Sequence, residues 1–213
     1  MYPLSPELPG KRQWYHFFVS REGFVLVGGG SSRMGRDKAL LPFGNGTLVE
    51  HVAAAVSAAA GSVTLVGDPL KYGRLGYPVV ADTMAGAGPL AGIVTALSAS
   101  HSDWNLVLAC DMPDVSAAFL TRLLVAAESA GPDCLLPAGP SGRLEPLCAA
   151  YHLKALPAMR RALEQDVRKV LDGLAELRVT LWRPPEPQPF RNLNTPRDWN
   201  EYLKISKTRE PGI

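Results

Sequence analysis

The sequence predicts an α/β protein with a single doubly wound, mostly parallel sheet flanked by helices, and three observations carry that expectation. The short apolar runs Phe24–Val27, Val63–Val66, Val79–Ala81 and Trp104–Ala109 are too brief for helices, and each breaks off at or beside a glycine or an aspartate, as buried strands do. Longer stretches with start and stop signals of helices separate them. Strand, loop and helix alternate through the first two thirds of the chain, which implies parallel strands joined by right-handed crossovers.

Each element follows from local chemistry. Thr47-Leu48-Val49-Glu50 is a capping box that opens a helix to about Ala60, and Gly61 ends it. A Gly67-Asp68-Pro69 turn follows the second strand. Pro89 suits the first turn of a helix that runs to about Ser100. Ser116 caps another that Gly131-Pro132 stops after Ala130. The remainder is more mixed: strands at Leu135–Pro137 and Glu145–Tyr151 around a Gly139–Arg143 turn, helices at Leu153–Glu164 and Val167–Leu174, and a late strand at Arg178–Trp182. A proline-rich loop, Arg183–Pro189, then leads to a last helix with Thr195 as its cap, Pro196 at its first position and an end near Ile205.

Composition bounds the function. With 213 residues and 46% hydrophobic content the chain can bury a proper core as one domain, here residues 23–205, with an extension over 1–22 and a loose charged tail over 206–213. The extension carries Lys11 and Arg12 ahead of a Trp14–Val19 apolar patch, which imitates a signal peptide. The patch is short, contains His16 and is followed by Arg21 and Glu22 rather than by a cleavage site, so export is not expected. The segment either packs on the domain or reflects the choice of start codon. A net charge of +2 with both signs interspersed gives no case for nucleic acid as a partner, and no apolar run is long enough to span a bilayer. The three cysteines, Cys110, Cys134 and Cys148, are odd in number and lack C-x-x-C spacing; they read as buried reduced thiols of a cytoplasmic protein.

The chemistry centres on F-V-L-V-G-G-G-S-S-R-M-G-R-D-K, residues 24–38. After the strand, Gly28, Gly29 and Gly30 let the backbone approach a ligand closely, and successive N–H groups in such a loop form an anion-binding nest. Arg33 and Lys38 add a planar fork and a point charge suited to different phosphates of a polyphosphate. The dinucleotide fingerprint fails because Arg33 stands where a third glycine or alanine is needed. The Walker pattern fails because Arg36 and Asp37 follow Gly35. In open parallel sheets ligands lie beyond the carboxyl ends of the strands, where Asp82 and Asp111 also stand. Asp111 at the end of a six-residue apolar strand, beside a polyphosphate, points to magnesium; the alternative is a cap for the turn or helix beyond Pro113.

The glycine stretch resembles the signature of nucleotidyltransferases that attach a nucleoside monophosphate to a phosphorylated acceptor, a strand and A-G-G followed by R-M-G-x-D-K. Within that superfamily the chain is similar to the molybdenum cofactor guanylyltransferases, the MobA family, with Gly28 in place of the usual alanine. C-D-M-P at 110–113, G-P-L-A-G at 88–92, G-R-L-E-P-L at 142–147 and N-L-N-T-P at 192–196 match as well. The resemblance implies a Rossmann-like nucleotidyltransferase fold and transfer of GMP from GTP to molybdenum-bearing molybdopterin, with Lys38, Arg33 and Asp111 as the catalytic set. It implies a nucleotide site built from Val27, Gly28, Gly29, Gly30, Gly35, Lys38, Asp82, Gly88, Gly92 and Asp111. Asp82 would contact guanine or the ribose, and Gly88 and Gly92 either lie against the base or serve helix packing. It places Mg2+ on Asp111 and Asn194, and the acceptor near Arg143, Glu145, Asn192 and Asn194, where either asparagine could be a plain turn residue. Other molybdenum-cofactor proteins or target molybdoenzymes are the implied protein partners. Two other readings stand beside this one: a sister enzyme that uses CTP or another phosphorylated acceptor, and a non-catalytic nucleotide-binding partner of a molybdenum enzyme.

Overall fold

The structure, a computed structural model, describes residues 19–28, 37–82, 84, 86–185 and 190–209, with side chains of the last helix to Ile205. The chain opens with β1 (Arg21–Leu26), a hairpin of β2 (Pro42–Phe43) and β3 (Gly46–Thr47), then α1 (Leu48–Ala60), β4 (Thr64–Val66), the short α2 (Pro69–Tyr72) and β5 (Val79–Val80). There follow α3 (Pro89–Ala99), β6 (Trp104–Ala109), α4 (Ala117–Ala130), β7 (Cys134–Pro137) and β8 (Cys148–His152). The chain closes with α5 (Leu156–Glu164), the single turn α6 (Val170–Gly173), β9 (Val179–Trp182) and α7 (Pro196–Arg209). Seven strands form one sheet in the order β5-β4-β1-β6-β8-β7-β9. Only β8 runs against its neighbours β6 and β7. The expected mostly parallel, doubly wound sheet is therefore what forms.

Alternation along the strands divides the core into two layers. Val25, Leu65, Leu106 and Leu108 point to the face covered by α1 and α4, while Phe24, Val66 and Val107 point to the face covered by α3 and α5. Buried on both faces, β6 is apolar at five of its six positions, the run expected of a central strand. The exception is Asn105, whose amide donates to the Ser102 carbonyl at 3.2 Å. Phe43 on the β2–β3 hairpin packs its ring on Trp199 and Tyr202 and so ties α7 to the start of the fold. No helix among the described residues is long and apolar enough to cross a membrane.

Several boundaries differ from those the sequence predicts. Strand β1 begins at Arg21, not Phe24, because Arg21 and Glu22 pair with Trp104 and Asn105, and the Arg21 guanidinium meets the Glu128 carboxylate at 2.5 and 2.7 Å. The strand expected over Glu145–Tyr151 is Cys148–His152; Glu145 belongs instead to a loop pinned by an Ala138–Leu144 bridge. Pro157 lacks an N–H and sits in the first turn of α5, so Leu153–Ala155 winds as a separate 3-10 turn. The helix expected over Val167–Leu174 shrinks to α6. At the other end α7 continues to Arg209, into the stretch expected to be a loose tail. Most of the extension, residues 1–18, lies outside the described residues.

Candidate active site

The site begins where the strands end together. The Val27 N–H donates to the Val66 carbonyl at 2.9 Å, and the Cys110 N–H donates to the Leu26 carbonyl at 3.2 Å, so β1, β4 and β6 release their loops at one level. Sheet order reverses at β1, with β4 on one side and β6 on the other. A cavity of about 670 Å³ opens at this point, within the range of small-molecule sites. Val27, Gly28, Lys38, Asp82, Gly88, Gly92 and Asp111 all line it. The sequence placed each of these at the nucleotide site. Gly29, Gly30, Arg33 and Gly35 lie outside the described residues.

Two lining residues from distant parts of the chain, Lys38 and Asp111, meet at the cavity, and Asn194 joins them through Lys38. The Lys38 Nζ donates to Asp111 Oδ2 at 2.7 Å and to Asn194 Oδ1 at 3.2 Å. Lys38 is carried by the 3-10 turn Lys38–Leu40, whose cap is Asp37. Asp111 does not cap the helix beyond Pro113: that role falls to Ser116, whose hydroxyl accepts from the Phe119 N–H at 3.2 Å. Asn194 arrives because the Leu193 N–H donates to the Asp111 carbonyl at 3.0 Å, with Leu193 fully buried. The start of α7 fixes it further. Asp198 Oδ2 accepts from the N–H groups of Asn194 at 3.0 Å and Thr195 at 2.8 Å, while the Asp198 N–H donates to Thr195 Oγ1 at 3.1 Å. These bonds, that from Asn194 foremost, hold the Asp198 carboxyl below the usual carboxylate range.

The wall of the cavity is made by α3 and the loop before it. Asp82 Oδ1 accepts from the Met84 N–H at 3.1 Å and from Thr95 Oγ1 at 3.4 Å, which steadies the carboxylate at the edge of the cavity. Gly88 has φ +87°, a left-handed conformation that glycine adopts without strain, and hands the chain to Pro89 at the head of α3. At Gly92 a side chain would meet Leu26 Cδ1 at 3.3 Å, so this glycine permits α3 to pack on β1 while also lining the cavity. Cys110 lines the cavity too. Burial, with the Asp111 charge behind it, pushes its thiol up to about 12, so the nucleophilic thiolate is not formed at neutral pH.

The residues expected to meet the acceptor are placed differently. Glu145 is buried and Arg143 largely exposed, with Arg143 Nε 3.4 Å from Glu145 Oε1. Burial, opposed by Arg143 and assisted by Asp111, pushes the Glu145 carboxyl up. Neither residue lines the cavity; Leu147, two positions on, does. Asn192 does not join Asn194 on Lys38, and its buried amide oxygen has no hydrogen-bond partner among the described residues. His51 donates from Nε2 to the Pro113 carbonyl at 3.0 Å and lies 4.6 Å from the Phe43 ring.

Asp68, Lys71 and Tyr72 line the cavity without having been singled out in the sequence. For Asp68 a signal is present but reads as punctuation: Gly67-Asp68-Pro69 looks like a turn, whereas Asp68 Oδ1 accepts from the Leu70 N–H at 2.9 Å and caps α2. Asp37 stands inside the R-M-G-x-D-K motif, yet no role for it could be assigned without its partner.

Known proteins match the same span. The profile of the MobA-like NTP transferase domain matches residues 23–179. A probable molybdenum cofactor guanylyltransferase of Carboxydothermus hydrogenoformans is 33% identical over 193 residues, 87% of this chain and 96% of that one. The molybdenum cofactor guanylyltransferase of Mesorhizobium japonicum is 34% identical over 197 residues, covering 86% and 94%. The crystal structure of molybdopterin-guanine dinucleotide biosynthesis protein A from Archaeoglobus fulgidus superposes with a TM-score of 0.75 at 31% identity, covering 88% of this chain and 99% of that one. Profile, relatives and fold agree over the stretch of chain that builds the cavity, and the protein therefore belongs to the MobA-like NTP transferase family of nucleotidyltransferases.

Proposed function

We propose that the protein transfers the guanylyl group of GTP to the terminal phosphate of molybdenum-bearing molybdopterin, giving molybdopterin guanine dinucleotide and pyrophosphate. The observation that carries this reading is the meeting of Lys38 and Asp111 at the cavity, joined by Asn194 through Lys38, on a chain whose relatives bear the names of guanylyltransferases. An oxygen of the acceptor phosphate attacks the α-phosphorus of GTP. The bond from that phosphorus to the oxygen bridging to the β-phosphate breaks, and pyrophosphate leaves with the bridging oxygen. A phosphate monoester with a second pKa of about 6 is already anionic at neutral pH, so the site needs no general base to make the nucleophile.

The protein's part is positioning and charge. Lys38 meets the phosphates as a point charge, and Arg33 would add a planar fork. Asp82 already uses Oδ1 within the protein, so Oδ2 is the oxygen to accept from N1–H and the amino group of guanine, a pair that cytosine does not present. A carboxylate and an amide oxygen that already share one ammonium are a hard donor pair, which fits Mg2+ on Asp111 and Asn194. Among the described residues no cluster of three or more His, Cys, Asp or Glu side chains could hold a metal alone, so phosphate oxygens would complete the shell. Bound there, Mg2+ would neutralise charge on the triphosphate and align it. Lys38 would then exchange Asp111 for phosphate. Three buried free thiols support work in a reducing compartment, the cytoplasm, from which the product would pass to other molybdenum-cofactor proteins or molybdoenzymes.

Thermal melts with magnesium and each nucleotide test the base. A ligand at about 100 times its dissociation constant adds about 2.7 kcal/mol, so GTP should raise Tm well above the values with CTP or ATP. A larger shift with CTP would move the assignment to cytidylyl transfer, and equal shifts would mean that the base is not read.

A further inference from the structure

We propose that Tyr72 is a positioning residue for Lys38: its hydroxyl, acting through Asp37, fixes the turn that aims the lysine into the cavity. The inference rests on the reading of Lys38 as a phosphate contact and extends the site to a side chain more than thirty positions away. Tyr72 closes α2, is 1% exposed, and shares the cavity wall with Asp68 and Lys71. Its phenol reaches across beneath the end of β1 and donates to Asp37 Oδ2 at 2.7 Å. The other oxygen of that carboxylate, Oδ1, accepts from the Ala39 N–H at 3.1 Å, and the Asp37 carbonyl accepts from the Leu40 N–H at 3.2 Å. Asp37 is thus held at one end by a buried phenol and at the other by the backbone turn that begins with Lys38.

The surroundings leave the ring one place to sit. At Gly67 a side chain would come within 3.1 Å of Tyr72 Cε2 and 2.6 Å of the Val27 carbonyl oxygen, so only a bare backbone lets the ring lie under the strand end. Burial, with Asp37 accepting the proton-bearing bond, pushes the phenol far up, and the hydroxyl remains a donor across the working pH range. The acceptor of this bond is a carboxylate, which makes it one of the stronger kinds of hydrogen bond. A carboxylate that is capped, anchored and adjacent to Lys38 leaves the lysine stem little freedom at its root. Its tip is then free to choose among Asp111, Asn194 and phosphate.

A double-mutant cycle separates this role from packing. Tyr72→Phe keeps the ring and removes only the hydroxyl; Asp37→Asn perturbs the same bond from its other end and serves as the second probe. GTP affinity is measured without magnesium for the wild type, for Lys38→Ala, for each probe, and for each probe combined with Lys38→Ala, with near-ultraviolet circular dichroism as the check on folding. The expected result is that Tyr72→Phe alone weakens GTP binding about tenfold, the scale of a lost charge-assisted bond, and changes it less than about twofold once Lys38 is gone. Equal losses in both backgrounds would overturn the proposal, because the phenol would then be shaping the cavity independently of the lysine. So would unchanged affinity for both probes while Lys38→Ala is impaired, a result that leaves the phosphate role of Lys38 standing. Full affinity in Lys38→Ala itself would remove the phosphate contact and this proposal with it.

Discussion

The two halves of the sheet's carboxyl edge are built by different rules. On the side proposed for the nucleotide β1, β4, β5 and β6 all run in one direction, so every connection leaves the sheet at the same level, and Gly28, Asp82 and Asp111 face one cavity. On the other side β8 runs backwards and enters the edge instead of leaving it. The chain approaches it through a turn at 139–143 and the loop after it, which carry Arg143 and Glu145, one exposed and one buried. The nucleotide side is also cross-linked from afar: Asp111 is gripped through its carbonyl by Leu193 and through its carboxylate by Lys38. The side proposed for the acceptor is held within its own loop, by the Ala138–Leu144 bridge and by the Glu145 N–H donating to the Pro137 carbonyl at 3.0 Å, and its one charged pair, Arg143 with Glu145 at 3.4 Å, is open to solvent on the arginine end. The comparison teaches that the half proposed for the triphosphate is preorganised by bonds from distant parts of the chain, while the half proposed for the acceptor is held by bonds within one loop.

The largest effects should therefore come from the preorganised half. Asp111→Asn keeps the shape and one acceptor oxygen but removes the charge that would hold magnesium, and guanylyl transfer should fall at least about a hundredfold, the scale at which electrostatic groups act on a developing charge. GTP affinity without metal should stay level or rise as repulsion disappears. Lys38→Ala should act the other way, weakening GTP about tenfold to a hundredfold with and without magnesium, the range of lost bonds to a charged group. Transfer rates and nucleotide titrations for both variants decide the matter. Ordinary magnesium-dependent transfer in Asp111→Asn would dissolve the contrast between the halves.

This contrast also explains what could be read from the sequence. Gly28, Asp82 and Asp111 were legible because each follows a short apolar run, and a strand's end in a parallel sheet fixes which way its loop faces. Lys38 and Asn194 were legible as motif members, but their meeting, 156 positions apart in sequence, needed the fold. Tyr72 carried no local sign at all: a tyrosine one turn beyond Asp68 is apolar filling until Asp37 is found against its hydroxyl. The start of β1 is hidden in the sequence for a related reason. Arg21 and Glu22 look like surface residues until Glu128 supplies a partner for the arginine. On the acceptor side the antiparallel β8 breaks the pattern that made the first half readable, and Glu145 moved from an expected strand into a loop.

A middle-sized effect should appear on the half proposed for the acceptor, and only there. Arg143→Ala and Glu145→Gln should raise KM for the acceptor about tenfold while leaving GTP affinity unchanged, and steady-state kinetics with each substrate varied would show it. Glu145→Gln carries a second signature. Because burial lifts the folded carboxyl above its unfolded value, the folded protein holds the proton more tightly, and stability falls as pH rises from the ordinary carboxylate range through the folded value. Glutamine has no such titration. The variant should melt higher than the wild type at neutral pH and lose that advantage in acid, even as acceptor binding suffers. A loss of GTP affinity equal to the loss for acceptor would mean that the two halves are one site.

The smallest effect should lie at the seam between the halves, where Asp198 holds the backbone of Asn194. Its carboxyl is depressed in the folded state, by the Asn194 N–H first, so its contribution is fully present above the unfolded value and is lost as pH falls through the folded one. At neutral pH Asp198→Ala should therefore lower Tm slightly and loosen the start of α7. Metal-free GTP affinity should not move, because Lys38 keeps Asp111 as its main partner at 2.7 Å while Asn194 lies at 3.2 Å. Magnesium-dependent transfer should weaken by a few-fold, because the amide oxygen proposed for the metal has lost its anchor. Melts of both proteins from neutral to acid pH would check the sign: the gap between them should close below the ordinary carboxylate range of about 4, where the wild-type carboxyl takes up its proton. A gap that stayed open in acid would show that Asp198 acts through packing at the head of α7 and not through its charge.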